Sequence, residues 1–234
     1  MNITIFGTGT WAMALARVLT DNHHDVLLVG KDAAQIDELN TRHTNSKYFA
    51  TDVVMDTAVK ATLSIEEGVA FSDYLLIAVP SHAVRSLLGK IVPLLQRKVY
   101  IINTTKGFDG TSKQRFSDVI RHAIPRKYLK GIVSLLGPSH AEEVIQRQLT
   151  LISATSQRVA HAQDVANLFA NSVFRVYVQK DEIGAEVGAA MKNVIAIASG
   201  VITGLGLGDN ARAALVTRGL TELMRLGKAL GGKL

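Results

Sequence analysis

The chain has 234 residues, 47% of them hydrophobic and 20% charged, a balance that supports a packed core and excludes a disordered protein. It has no cysteine, which excludes disulfide frameworks, thiolate metal sites and cysteine nucleophiles. Its net charge of +6 is scattered rather than gathered in Lys/Arg blocks, which argues against a nucleic-acid surface and fits a site for anionic ligands.

Short β-rich runs recur at 2–6, 25–29, 59–63, 73–79, 98–103, 131–136, 149–154 and 174–178, mostly separated by helical patterns. Continuous apolar runs such as YLLIAV predict strands buried on both faces, as in a parallel sheet covered by helices. The alternation predicts a Rossmann-like, doubly wound α/β unit with a mostly parallel sheet over 1–180. From 181 to 234 no strand pattern remains. A helix is expected at 182–203, a Gly-rich turn at 204–210 and a second helix at 211–230, the start of an all-α unit too small to be complete. Met1 leads straight into the first run without a signal-peptide pattern. The longest apolar run, near 194–203, is broken by Gly200 and falls short of the roughly 20 residues a spanning helix needs. The expectation is a soluble cytoplasmic protein without membrane insertion, whose exposed helical faces leave room for a homodimer.

The opening stretch NITIFGTGTWAMALA places Gly7-x-Gly9-x-x-Ala12 after a strand and at the start of a helix, the context of a dinucleotide fingerprint. Gly7 permits the tight turn and Gly9 lets backbone approach a pyrophosphate. Ala12 stands where a small residue lets helix and strand pack closely. The helix N-terminus offers free N–H groups to phosphate. Trp11, the only tryptophan, either covers a cofactor or packs beneath the loop. The second strand ends on Gly30, Lys31 and Asp32. Lys31 suits a 2′-phosphate and favours NADP, whereas Asp32 keeps NAD open through the ribose 2′-OH.

Ligands in such sheets bind at the carboxyl ends of the strands. Three polar segments stand there: VPSH at 79–82, NTTKG at 103–107 and GPSHAE at 137–142. Lys106 is a candidate cation for an anionic substrate. Ser139 and Glu142 have the spacing of a capping box that starts a helix. His82 and His140 read as loop histidines or as acid–base candidates. No metal-ligand spacing is present.

The segment IGAEVGAAMKNVIAIASGVIT at 183–203 is apolar nearly all round and predicts a buried helix. Within it only Glu186 and Lys192 are charged. Burial lowers the pKa of an ammonium, which suits Lys192 to acid–base work on a carbonyl, with Asn193 as a second polar contact. The alternative is a lysine that snorkels to solvent or sits in a structural ion pair.

Together GTGTWAMALA, VPSH, TTKG, GPSHAEE, GAAMKNVIAIASG and GLGDNARAALVTRGL resemble the bacterial NAD(P)-dependent glycerol-3-phosphate dehydrogenases along the whole chain. That resemblance implies interconversion of dihydroxyacetone phosphate and sn-glycerol 3-phosphate, supplying phospholipid synthesis. It implies cofactor contacts from Thr10, Trp11, Lys31, Lys106 and Ala141. Lys106, Gly137, Ser139 and Lys192 would contact the substrate, with Lys192 as proton donor to the reduced carbonyl. The chain departs from the family pattern at Ala12, where Gly is usual, and at Thr10, where Ser is common. It also implies that the C-terminal part of the helical domain, with an Arg-Asn pair for the substrate phosphate, lies beyond position 234. A catalytically silent NAD(P)-binding fragment and a related reductase of another small carbonyl compound are the competing readings.

Overall fold

The computed structural model describes residues 1–50 and 52–233, so Leu234, the last residue of the expected second unit, lies outside them. The chain starts on β1 (Asn2–Phe6), turns into α1 (Thr10–Asp21) and returns on β2 (Asp25–Val29). β2 lies parallel to β1, with Asn2 beside Asp25 and Phe6 beside Val29. α2 (Ala33–Thr41) leads to β3 (Val59–Thr62) at the sheet edge. α3 (Ile65–Phe71) then carries the chain back to β4 (Tyr74–Ile77) on the other side of β1. From there α4 (Val84–Ile91), β5 (Val99–Asn103), α5 (Phe116–Ala123), β6 (Leu129–Leu136), α6 (Ala141–Ile145), β7 (Thr150–Thr155), α7 (Val159–Phe169) and β8 (Phe174–Gln179) extend the sheet.

The strand order is β3-β2-β1-β4-β5-β6-β7-β8. Every neighbouring pair is parallel except β6 and β7, which run antiparallel. All eight strand expectations correspond to observed strands within a few residues. The direction of winding reverses between β1 and β4, and such a switch point opens a crevice at the strand ends.

Two apolar layers cover the sheet. One joins β1, β2 and the β6–β8 edge to α1, α6 and α7, with Ala12, Met13, Ala14, Leu15 and Ala16 wholly buried. The small side chains in that run let α1 lie close to the strands. The other joins Phe6, Leu75, Ile77 and Ile101 to Val69, Val84, Leu88 and Ile120 from α3, α4 and α5. Each fully buried Val, Leu or Ile contributes about 1.5–3 kcal/mol.

Two long helices follow the sheet: α8 (Glu182–Gly204) and α9 (Asp209–Ala229), packed on each other. Here three expectations need correction. First, α8 is not buried all round: Val194, Ile197 and Val201 are exposed, as are Val216, Leu220 and Met224 on α9. Apolar periodicity shows which side chains favour burial, but not whether a surface is present to cover them. Only the first half of α8 meets the sheet, where Glu182, Glu186, Val187 and Ala189 are buried. Second, Gly200 does not interrupt α8. At 23 residues and mean hydropathy 1.4 in its most apolar window, it is long and apolar enough to cross a membrane by those criteria alone. Its first half is instead tied to α5 by the ion pairs of Glu182 and Glu186 with Arg121 and Arg115. Third, Ser139 does not cap a helix. α6 begins at Ala141 with His140 at the N-cap position, and no side chain accepts a capping bond.

Candidate functional site

A cleft of about 880 Å³ opens at the switch point, lined by the 6–11 loop, the end of β2, the 78–81 segment after β4 and the 104–106 segment after β5. Its floor is the first βα turn. Gly7 takes φ +126°, and a Cβ there would collide with the Ala78 carbonyl oxygen. Its N–H donates to the Val29 carbonyl at 2.9 Å, so the turn is stitched to β2. Gly9 is the N-cap of α1, and a Cβ placed on it meets nothing within 4 Å. No side chain caps this helix start. Open space over uncapped first-turn amides is what a pyrophosphate requires, so the residues present fit a dinucleotide. Thr10 lines the cleft, while Ala12 points into the core and acts by close packing.

Trp11 stands between its two expected places. It packs on the core and lines the cleft. Its indole Nε1 is buried without a hydrogen-bond partner. Lys106 places Nζ 5.7 Å from the indole ring centroid, within range of a cation–π attraction.

At the end of β2, Lys31 is exposed on the cleft rim. Both oxygens of Asp32 are already engaged. Oδ1 accepts from the Ala34 and Gln35 amides at 3.1 and 3.3 Å, capping α2, and Oδ2 accepts from Lys47 Nζ at 3.1 Å. The Lys47 hydrogen bond, then the Gln35 amide, hold the Asp32 carboxyl below the usual range. Lys47 and the adjoining Tyr48 line the same rim, and the sequence reading did not find them. It also missed the polar network that pins the phosphate loop. Thr8 Oγ1 donates to Gln35 Oε1 at 2.6 Å, and Gln35 Nε2 donates to Asn45 Oδ1 at 2.8 Å and to the Thr8 carbonyl at 3.2 Å. Asn45 Nδ2 adds a bond to the Thr8 carbonyl at 3.0 Å. All three residues are buried. No local motif signals a contact between positions so far apart in sequence.

The second group lies at the ends of β5 and β6. Lys192 Nζ donates to the Gly137 carbonyl at 3.0 Å and is partly exposed rather than unpaired in the core. Burial lowers its pKa from the ordinary lysine value. Lys106 is lowered too, first by burial and then by the nearby Lys192 charge, so the two ammonium groups share one region. Ser139 Oγ, two residues after Gly137, is buried without a partner among the described residues, and Ala141 is buried too. Asn193 is exposed, as is His82 in the 3-10 turn Ser81–Ala83.

Comparison with known proteins agrees with this geometry. Residues 2–162 match the family model "NAD-dependent glycerol-3-phosphate dehydrogenase N-terminus", and residues 181–234 match the corresponding C-terminus model. A glycerol-3-phosphate dehydrogenase (NAD(P)+) of Streptococcus equi subsp. zooepidemicus is 45% identical over 229 residues, covering 98% of this chain and 67% of the relative. The enzyme of the same name from Staphylococcus saprophyticus is 46% identical, covering 98% and 69%. Among solved structures, glycerol-3-phosphate dehydrogenase from Coxiella burnetii superposes with a TM-score of 0.86 at 33% identity, covering 99% of this chain and 70% of that one. The chain belongs to the NAD-dependent glycerol-3-phosphate dehydrogenase family.

Proposed function

We propose that this chain binds NAD(P)H with its pyrophosphate over the 7–12 turn and interconverts dihydroxyacetone phosphate and sn-glycerol 3-phosphate, with Lys192 moving the proton. The observation that carries this reading is Lys192 Nζ, held by the Gly137 carbonyl in the same region as Lys106. When bound, the nicotinamide supplies or removes the hydride at C2. Lys192 stabilises the oxygen on which charge develops and protonates it in reduction, or accepts the proton in oxidation. Lys106 adds positive charge for the phosphorylated substrate, and the Gly137 and Ser139 segment orients it. Lys31, with Lys47 beside it, gives the rim a charge suited to a 2′-phosphate, while the engaged Asp32 is poorly placed to accept from a ribose hydroxyl. This favours NADP over NAD. Residues 1–180 form the nucleotide-binding unit in this reading and 181–234 the start of the helical substrate unit. Supply of glycerol phosphate to phospholipid synthesis, a cytoplasmic location and a homodimer joined through the exposed faces of α8 and α9 belong to the same proposal.

Trp11 reports directly on the cofactor site. Titration with NADPH and NADH is expected to quench its fluorescence saturably, with tighter binding of NADPH. No response from the folded chain would remove the cofactor reading. Equal affinities would assign no selectivity to Lys31 and Lys47.

The pH dependence follows from the role of Lys192. The reductive rate needs the ammonium, so it falls as pH rises through the Lys192 pKa. The oxidative rate needs the free amine and rises over the same interval. Because burial lowers that pKa, both limbs lie below the range of a solvated lysine. Limbs at the ordinary lysine position, measured as initial rates in both directions, would contradict the assignment.

A further inference from the structure

Glu186 is a buried carboxylate that the mechanism above does not use. It is 5% exposed and saturated with donors from two other elements. Arg115 Nη1 donates to Oε2 at 2.9 Å and Ser117 Oγ donates to the same oxygen at 2.7 Å. Oε1 accepts from the Ser117 amide at 3.3 Å and from Ser134 Oγ at 2.8 Å. Ser134 in turn accepts from Asn103 Nδ2 at 3.3 Å. Asn103 grips the lysine loop from both sides, its Oδ1 accepting from the Thr105 amide at 3.1 Å and its Nδ2 donating to the Thr105 carbonyl at 3.4 Å. Ser117, Ser134 and Asn103 have no exposed surface.

The line of bonds therefore runs from α8 through β6 and β5 to the residue preceding Lys106. On its own helix Glu186 stands six positions before Lys192. A helix rises about 9 Å over six residues, and a strand rises about 10 Å over the three from Ser134 to Gly137. The two contacts between α8 and the β6 segment, Glu186 with Ser134 and Lys192 with Gly137, are thus matched in spacing. A fastening with no role beyond holding α8 to the sheet could use any pair of elements. This one reaches the residue before Lys106 and starts about two helical turns below Lys192.

We propose that Glu186 is a positioning residue that fixes the Lys106 loop and Lys192 relative to each other through Ser134 and Asn103. The inference rests on the reading of Lys106 and Lys192 as the substrate-facing pair. Arg115, Arg121, Asp118 and Glu182 are the other charged groups packed around the carboxylate. They hold α8 against α5 but make no bond toward the lysine loop.

The test measures coupling between the two lysines without cofactor or turnover. With lysine labelled with 13C at Cε, NMR titration follows the Lys106 amine in the full chain, and Lys106→Arg assigns its signal. In the native background Lys192→Met is expected to raise the Lys106 midpoint, because a like charge is removed. In Glu186→Gln and in Ser134→Ala, the same change is expected to produce a displacement smaller by about half or more. The direct effect of removing the Glu186 charge cancels in this cycle. Ser134→Ala removes the hydroxyl that joins Glu186 to Asn103, and with it both of those bonds, but leaves the Arg115 and Ser117 bonds to Glu186 in place, so it serves if Glu186→Gln does not fold. Equal displacements in native and Ser134→Ala chains would overturn the positioning role while leaving the lysine pair intact. No displacement in the native chain would overturn the pair and the inference together.

Discussion

Lys192→Met is expected to lower the rate of dihydroxyacetone phosphate reduction by about 10²- to 10⁴-fold, the range that a positioned general acid contributes. Methionine fills a similar volume but can neither protonate the alkoxide nor attract its charge. Among the described residues the native ammonium keeps one hydrogen bond, to the Gly137 carbonyl, leaving donors for substrate oxygen. Dinucleotide affinity should change little, because the phosphate turn and the β2 rim are built from other segments. Single-turnover rates with NADPH, set beside the affinity read from Trp11, separate the two quantities. A rate within a few-fold of the native chain would assign the proton to another group. A matching loss of cofactor affinity would make Lys192 a binding residue.

Gly7→Ala should be the most damaging single methyl group in the first unit. The φ of +126° is one that residues with a Cβ rarely adopt, and the added atom would run into the Ala78 carbonyl. Backbone strain of about 1–3 kcal/mol and overpacking of similar size add to a loss of roughly 2–6 kcal/mol in stability. The collision also pushes β1 away from the segment after β4, so the cleft loses its shape. Gly9→Ala is the matched control. Its φ of −77° and ψ of 179° suit alanine and its Cβ meets no atom, so stability should stay within about 0.5 kcal/mol. That methyl nevertheless takes the space left for the pyrophosphate. Denaturant midpoints and NADPH titrations of both variants should therefore diverge: Gly7→Ala loses stability and binding, Gly9→Ala binding alone. A Gly9→Ala chain with native affinity would move the phosphate away from this turn.

The sheet was legible because each strand is a compact apolar run bounded by polar or Gly-rich punctuation, and YLLIAV-type runs have few alternatives to a buried parallel strand. The phosphate turn was legible because its glycines answer a steric demand that is local. The environment of Lys192 was not. An apolar helix predicts burial only where another surface is present, and the second half of α8 packs on α9 alone, which leaves Val194, Ile197 and Val201 exposed. Ser139 and Glu142 had capping-box spacing, but the loop after β6 turns one residue later and leaves Ser139 Oγ buried and free. Asn45, Gln35 and Lys47 escaped notice for a different reason. Each acts through a partner from a separate element, and neither pattern nor propensity encodes which distant residues meet.

The one antiparallel pair in the sheet decides where the chain can deliver a side chain. β1, β4, β5 and β6 all point toward the cleft, and β7 and β8 point away from it. The backbone therefore leaves β8 heading away from the cleft, with Gln179 beside Thr155 at the level of Ser134, and has to travel back. α8 makes that return journey, meeting Arg121 first through Glu182, then Ser134 through Glu186, and arriving at Gly137 with Lys192. From Glu182 to Lys192 the ascent is about 15 Å, close to the length of a five-residue strand. Had β7 run with the others, the chain would have emerged at the cleft and the same helix would have carried its lysine downward, out of reach of the chemistry. A single reversal of direction thus acts as a routing device, turning an ordinary exit helix into an approach.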